Sequence, residues 1–352
     1  MPEMRQTIHG CLLGTAVGDA MGLIVEGLSP ARQRKLYPVL ERPRLLPGRA
    51  MVSDDTEHAC MVAQSLIVSA GEVSRFTQHL AHELRLWLLS GPPGIGWATL
   101  RATGKLCLGI PPTRSGVFSA GNGPAMRSAL IGVCYGSDPE RLLHLTRAAT
   151  RITHTDPEAF HGAVVVAVAA HLNATGRLSP AFLRDTLASL SLDRADALLA
   201  LIDRVLASVD QNQETREFAA SLGLKRGVTG YVYHTVPVAL HAVLRHCNDL
   251  RTAVLSAIHC GGDTDTTGAI AGAVAGAGTG PAGIPADWVC AIREWPRTVH
   301  WMEHLCERLA EVVVSETPGA ALPWFRPAQV PRNALFLTAV LLHGIRRLLP
   351  PY

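Results

Sequence analysis

The chain has 352 residues, 48% of them apolar and only 5% aromatic, with 32 glycines and a formal net charge of +3. That length suffices for one large core, and the scarcity of aromatic residues favours closely packed helices over a sandwich or barrel, which want aromatic and β-branched runs. The basic residues are scattered rather than gathered in a stripe, which excludes the electrostatic footprint of a nucleic-acid partner.

Helical periodicity dominates from the N-terminus onward. It predicts helices over 7–22, 53–70, 73–89, 120–133, 139–151, 157–175, 179–189, 193–208, 235–246, 248–259, 264–278, 287–313 and 332–348. Ser53, Ser74, Ser179 and Asp193 stand just before apolar-periodic stretches, as N-caps do. Punctuated loops fall at Pro43 to Gly48, Gly91-Pro92-Pro93-Gly94, Pro111-Pro112 and Gly223 to Gly230. Strand-type alternation is nearly absent. The expected fold class is all-α, a single compact multi-helix domain over 1–314 followed by a tail, 315–352. In that tail a linker with Pro318, Pro323, Pro327 and Pro331 precedes an apolar helix from Ala334 to Leu349. The helix is expected to pack back onto the body, the alternative being a contact with a partner or a second copy.

The first six residues lack the charged-then-apolar order of a signal peptide, and no uncharged apolar run reaches the roughly 20 residues a membrane helix needs. The cysteines, Cys11, Cys60, Cys107, Cys134, Cys247, Cys260, Cys290 and Cys306, form no C-x-x-C pair and fall mostly in apolar helix-like stretches. That spacing argues for reduced, buried thiols over a disulfide framework or a zinc site. The expectation is a soluble, cytoplasmic protein with no membrane partner.

Two predicted helices share a geometric feature. Gly10, Gly14, Gly18 and Gly22 recur every four residues, and so do Gly268, Gly272, Gly276 and Gly280. On a helix, i and i+4 lie one above the other, so each ladder is a groove without side chains. An interior Gly costs roughly 1 kcal/mol against Ala, so the ladders need compensation, and close backbone approach between central helices supplies it. Each such helix is then expected to deliver an acidic end to a shared pocket.

The acidic ends carry the chemistry. Ser53-Asp54-Asp55-Thr56-Glu57 and Gly262-Asp263-Thr264-Asp265-Thr266 each pack oxygen donors into a few residues that open a helix. With Ser53 as N-cap, Asp54 and Asp55 sit in the first turn, where exposed N–H groups favour negative charge. Gly261-Gly262 permits a tight turn before Asp263, so that Asp263, Asp265 and Thr266 can converge on one side. The two clusters read as halves of one oxygen-only site for Mg²⁺, Mn²⁺ or Ca²⁺; the bland alternative is two acidic helix caps unrelated in space.

From Ile8 to Leu309 the chain resembles the ADP-ribosylglycohydrolases. The resemblance is carried by Gly10-Cys-Leu-Leu-Gly-Thr-Ala-Val-Gly-Asp-Ala20, Ser53-Asp-Asp-Thr56, Gly121-Asn-Gly-Pro-Ala-Met-Arg127, Thr153-His154, Gly230-Tyr231-Val232, Gly261-Gly-Asp-Thr-Asp-Thr266, and Ile284-Pro285 with Trp288. It implies an all-α fold with a binuclear Mg²⁺ or Mn²⁺ centre held by Ser53, Asp54, Asp55, Asp263, Asp265 and Thr266. It further implies that Gly121, Asn122 and Gly123 shape an ADP-ribose pocket, with His154 near the substrate and Tyr231 available to stack on adenine. Glu26 matches a glutamate on a mobile loop near the metals. Arg127 reads as a helix-face charge or a ligand contact. The departures are Ser53 where Thr is common, Pro93-Gly94-Ile95-Gly96 where relatives often carry Arg-Asp before Ile-Gly, and a tail without counterpart.

The activity this implies is removal of ADP-ribose from a modified protein side chain, with arginine expected as the acceptor and an O-linked serine as the alternative. Cleavage at the ribose C1″ builds oxocarbenium character, which two cations and a general base, Asp55, Asp265 or Glu26, are suited to handle. A second reading, from another class, is a binding protein that occludes a cognate ADP-ribosyltransferase.

Overall fold

The computed structural model describes residues 2–348 apart from 47 and 191. Eighteen α-helices follow one another among them. The first half contains α1 (Pro2–Leu23), α2 (Pro30–Leu36), α3 (Asp54–Ser69), α4 (Val73–Leu89), α5 (Trp97–Cys107), α6 (Pro112–Ser115), α7 (Ala129–Tyr135), α8 (Pro139–Arg151) and α9 (Pro157–Ala174). The second contains α10 (Pro180–Ser189), α11 (Asp196–Asp210), α12 (Thr215–Ser221), α13 (Val232–Arg245), α14 (Leu250–Ile258), α15 (Thr264–Thr279), α16 (Ala286–Ala291), α17 (Val299–Ser315) and α18 (Gln329–Arg347). No strand occurs among the described residues, only isolated bridges such as Gly121 with Tyr231 and Val228 with Gly262. None of their helices is long and apolar enough to cross a membrane.

Local sequence explains most helix starts. Asp138, Asp156 and Ser179 each accept a hydrogen bond from a backbone N–H of the first turn, and each is followed by a proline at the first helical position. The side chain satisfies an orphan donor, and the proline has no N–H to lose. Ser53 caps α3 in the same way. The expectation fails at two caps. Glu72, not Ser74, caps α4, because its carboxylate reaches two amides, those of Ser74 and Arg75. Asp193 lies before the start of α11, and its carbonyl instead faces His161 Nε2 at 2.9 Å.

Three helix boundaries also need correction. The expected helix 120–133 is a loop through Gly121-Asn122-Gly123, a 3₁₀ turn at Ala125–Arg127, and only then α7. Pro124 cannot donate to a helix ladder, and the Asn122 backbone N–H is engaged by the Gly230 carbonyl at 2.9 Å. The expected helix 287–313 is broken between Ala291 and Val299, where Pro296 interrupts the chain. The tail helix begins at Gln329 rather than Ala334, and Leu349 lies outside the described residues. The short α2, α5, α6 and α12 have no counterpart in the expected pattern.

The core is organised around α1 and α15, which run antiparallel with their glycine ladders face to face. A Cβ on Gly10 would lie 2.0 Å from the Gly276 carbonyl oxygen, and one on Gly14 or Gly18 would lie 2.1 Å from that of Gly272 or Gly268. The reciprocal contacts of Gly272 and Gly276 meet the carbonyls of Gly14 and Gly10 at 2.1 Å. The glycines are thus required by space between two backbones. All eight cysteines are unpaired, and five of them are buried.

The tail lies against the body. The Gln64 side chain exchanges hydrogen bonds with the backbone of Leu322 at 2.7 and 2.8 Å, and the Gly319 N–H reaches the Ile67 carbonyl at 2.9 Å. From α18, Phe336 and Ala339 pack on Leu23, Leu45 and Met51.

The ladder contact yields a stability test. Gly14→Ala or Gly272→Ala must push the central helices apart and is expected to lower stability by at least about 1–3 kcal/mol in urea unfolding. Gly104→Ala, inside α5 where a Cβ meets nothing within 4 Å, is expected to raise it by up to ~1 kcal/mol. Equal behaviour of the three variants would mean that the ladders do not hold the helices together.

Candidate active site

The antiparallel pairing sets the C-terminal end of α1 beside the N-terminus of α15: a Cβ on Gly22 would lie 2.1 Å from the Thr264 carbonyl oxygen. The chain reaches α15 through Gly261 (φ 70°) and Gly262 (φ 80°), a left-handed pair that L side chains adopt only with strain. The turn is tied on both sides. The Gly262 N–H bonds the Leu28 carbonyl at 2.8 Å, and the Asp263 N–H bonds the Val228 carbonyl at 2.9 Å.

The N-terminus of α3 is fixed from α1. Asp19, fully buried, accepts hydrogen bonds from the Ser53 N–H at 2.9 Å, the Thr56 N–H at 3.2 Å and Thr56 Oγ1 at 2.5 Å. A carboxylate there satisfies helix-terminal donors that have no partner within the helix. Its pKa is nevertheless pushed up to about 6, because burial outweighs the hydrogen bonds from Thr56 and Ser53.

The two acidic clusters meet. Ser53 Oγ donates to Asp55 Oδ2 at 3.0 Å, and Thr266 Oγ1, from the other cluster, donates to the same oxygen at 3.2 Å. Asp54, Asp263, Asp265, Thr266 and Glu26 line one cavity of about 340 Å³, together with Gly121, Asn122, Gly123 and His154. Two unrelated helix caps are therefore not what the chain builds. Asn122 Nδ2 donates to Asp263 Oδ2 at 2.7 Å and to Thr235 Oγ1 at 2.9 Å, so its amide orients an acid of the cluster.

Crowding makes these acids hard to ionise together. Burial raises the Asp54 pKa to about 8, with Asp19 and Glu57 adding to it. Burial, then Asp19, Asp54 and Asp263, raises that of Asp55 far above the carboxylate range. Asp265 is raised likewise, by burial first and then by Glu26, Asp263 and Asp55. Glu26 is raised by desolvation and by Asp263, partly offset by Arg347. Asp55 Oδ1 and Asp265 Oδ1 are buried without a hydrogen-bond partner. Unpartnered buried carboxylate oxygens are costly unless a cation or a donor meets them. Among the described residues no three His, Cys, Asp or Glu side chains form a metal-ligand group on their own. The donor set that fits a hard divalent cation is the mixed one, with the hydroxyls of Ser53 and Thr266 beside the carboxylates.

His154 is buried, with Nδ1 2.9 Å from Thr153 Oγ1. Burial and the Arg127 charge depress its pKa to about 3, so the ring is neutral and has no proton to supply as a charged acid. Its ring also explains two glycines: a Cβ on Gly121 would lie 2.9 Å from His154 Nε2, and one on Gly123 3.2 Å from Cε1. Arg127 is buried and structural, donating to the Ala149 carbonyl at 2.8 Å and to Thr153 Oγ1 at 2.5 Å. Tyr231 stands outside this cavity, in a neighbouring groove with Arg204 and His234, and its hydroxyl donates to Glu158 Oε2 at 2.7 Å.

Three contributors were not singled out as site residues in the sequence. Asp19 stands in the Gly10–Ala20 motif and toward the acidic end of a glycine-ladder helix, the signals that could have found it. Trp97, 73% exposed, and Thr99 line the mouth from α5, a helix the periodicity missed.

The raised pKa values set a sign. A carboxyl that ionises near 3.8 unfolded but near 8 folded leaves the folded chain holding more protons between those values, so stability falls as pH rises from about 4 to about 8. In chelator at pH 8, Asp265→Asn is expected to melt above wild type by roughly 2 °C or more, the worth of about 1 kcal/mol in a chain of this order of size. The difference should vanish toward pH 4. Identical melting curves at pH 8 would remove the repulsion argument.

Comparison with known proteins bears on this arrangement. A family model described as ADP-ribosylglycohydrolase matches residues 1–318. The chain is 28% identical over 345 residues to an ADP-ribosylhydrolase ARH3 of Xenopus tropicalis, covering 86% of this chain and 96% of the relative. It is 29% identical over 323 residues to an ADP-ribosylarginine hydrolase Tri1 of Pseudomonas putida, covering 88% and 78%. A solved structure described as an ADP-ribosylglycohydrolase-related protein complex matches with a TM-score of 0.64 and 27% identity, over 89% of this chain and all of that one.

Proposed function

This chain belongs to the ADP-ribosylglycohydrolase family, and we propose that it is a divalent-cation-dependent hydrolase that releases ADP-ribose from modified protein side chains, with arginine as the acceptor. The observation that carries the reading is the meeting of the two acidic clusters, with Asp55 Oδ1 and Asp265 Oδ1 left unpartnered beside the cavity. The arginine linkage is supported by likeness to a relative named for that acceptor.

Ser53, Asp54, Asp55, Asp263, Asp265 and Thr266 would hold a pair of Mg²⁺ or Mn²⁺ ions. Such a pair supplies charge neutralisation, Lewis acidity and a water of lowered pKa. The remaining work belongs to the chain. Asn122 holds Asp263 in place, and Asp19 holds the Ser53–Thr56 turn, so the cluster is set before substrate arrives. Gly121 and Gly123 present backbone without side chains to a polar substrate, against a neutral His154. Negative charge on the cluster suits the cationic ribose that develops as the C1″ bond breaks. Glu26, at the cavity mouth with its pKa raised, is suited to take a proton from the attacking water or pass one to the leaving group.

The test is release of ADP-ribose from an arginine-ADP-ribosylated protein, with Mg²⁺ or Mn²⁺ and with chelator, and from a serine-linked one alongside. Chelation is expected to abolish turnover, and Asp265→Ala to lower it by about 10²-fold or more. Preference for the serine-linked substrate would overturn the arginine assignment alone. A protein that acts by covering a transferase behaves differently: Asp265→Ala would still protect against that enzyme, and hydrolysis would cease to be the function.

A further inference from the structure

The family match ends at residue 318, yet the segment beyond it reaches both edges of the active site. At the near end of α18, Arg332 is 3% exposed and donates to both oxygens of Glu294 at 2.8 Å and to the Val52 carbonyl at 2.6 Å. Val52 directly precedes Ser53. Gln329 donates to Glu57, the last acid of the first cluster. At the far end, Arg347 donates to the Glu26 carbonyl at 2.6 Å and to the Ile24 carbonyl at 2.7 Å. The connection is reciprocal, since Arg32 of α2 donates to the Arg347 carbonyl.

These contacts close a clasp around one loop. Its inner side is bound to the turn that delivers Asp263: the Gly27 N–H meets the Gly262 carbonyl at 2.7 Å, and the Leu28 carbonyl accepts from Gly262 N–H at 2.8 Å. Its outer side has Arg347. Two carbonyls two residues apart in one turn suit the planar fork of a guanidinium, which offers several fixed donors where an ammonium is a compact point charge. The body of α18 is anchored by buried charge at Arg332 and by Phe336, so the fork is presented from a fixed helix rather than a loose end.

Resting on the hydrolase reading above, we infer that Arg347 is a positioning residue of the active site, holding the Ile24–Glu26 loop so that the Glu26 carboxyl faces the acidic cluster. The C-terminal helix, which lies beyond the residues matched by the family model, is on this account a built-in brace of the catalytic loop. Arg347 touches no substrate and acts through Glu26.

The test compares Arg347→Ala, Arg347→Lys, Glu26→Ala and the double variant. Amide hydrogen exchange over residues 22–29 should accelerate about tenfold or more in Arg347→Ala, since removing the outer hold frees the loop. kcat should fall by about 10–100-fold with KM within about twofold, the scale of a misplaced catalytic group. Arg347→Lys should recover part of both effects. Arg347→Ala should add nothing to Glu26→Ala, because a residue acting through another is non-additive with it. Unchanged exchange overturns the inference, and so does full additivity of the two substitutions. A loss of kcat explained entirely by a lowered melting temperature, with no rescue by lysine, also overturns it. If the wild type releases no ADP-ribose the hydrolase reading fails by itself, and the exchange measurement alone decides whether Arg347 holds the loop.

Discussion

Carboxyl groups that repel one another can be gathered at a buried place only if the backbone carrying them is held by something other than the carboxyls. Here that something is the contact of α1 with α15 through bare backbone. Carbonyl oxygens of each helix stand where the Cβ atoms of the other would be, from Gly10 and Gly276 to Gly18 and Gly268. Two helices so close have little freedom to slide or rotate, and the register of that contact decides what lies beside what at its end. Gly22 falls against Thr264, and from there the Glu26 loop and the Asp263–Thr266 turn leave the helix pair as neighbours. The third component, the start of α3, is drawn in by Asp19, which grips two backbone amides and a hydroxyl. Packing energy in the core thus holds together, at fixed spacing, charges that on their own would move apart or pick up protons.

What was legible in the sequence follows the range of the interactions. The glycine period and the acidic turns are local signals, and both ladders and both clusters stand where their spacing places them. So do the caps Ser53 and Ser179. The break between α16 and α17 had one local signal, Pro296, inside a periodic pattern that runs on through 292–298, and long-range partners complete it. Glu294 there receives Arg332 from a residue 38 positions away, and Arg297 meets Glu57, 240 positions away. The loop at Gly121-Asn122-Gly123 likewise had a local signal in Pro124, while its backbone and amide are committed to the distant Gly230 and Asp263. Tyr231 sits on the chain at the edge of the cavity, but its ring goes with the Glu158 hydrogen bond into the next groove.

Behind the first cluster, the tail completes a second electrostatic arrangement of opposite character. Glu57 shares a helix turn with Asp54 and is buried, but burial is overcome there by Arg297 and Arg332, and its carboxyl is held below the usual range. Breaking one partner of such a buried network leaves an uncompensated charge, which is strongly destabilising. The tail therefore cannot be regarded as a linker added to a finished domain: Gln329 and Arg332 satisfy acids that the body itself buries.

The buried acids around the cavity accordingly divide into those with protein partners and those without. Glu57 has guanidinium groups and the indole of Trp87; Asp19 has amides and a hydroxyl. Each is complete in the folded chain and has nothing left to offer a ligand. Asp55 and Asp265 are different, because each keeps one oxygen unpartnered at a place where burial and neighbouring acids already raise its pKa. Adding a proton to each would relieve the repulsion but would also remove the charge that distinguishes the site. A hard cation would relieve it while keeping the carboxylates ionised, and the hydroxyls of Ser53 and Thr266, both beside Asp55 Oδ2, are further oxygen donors suited to one. His154 also lines the cavity, no cysteine does, and the donors gathered in the two clusters are oxygens. The chemistry available to this chain is set by that division of partners, more than by the number of acids it contains.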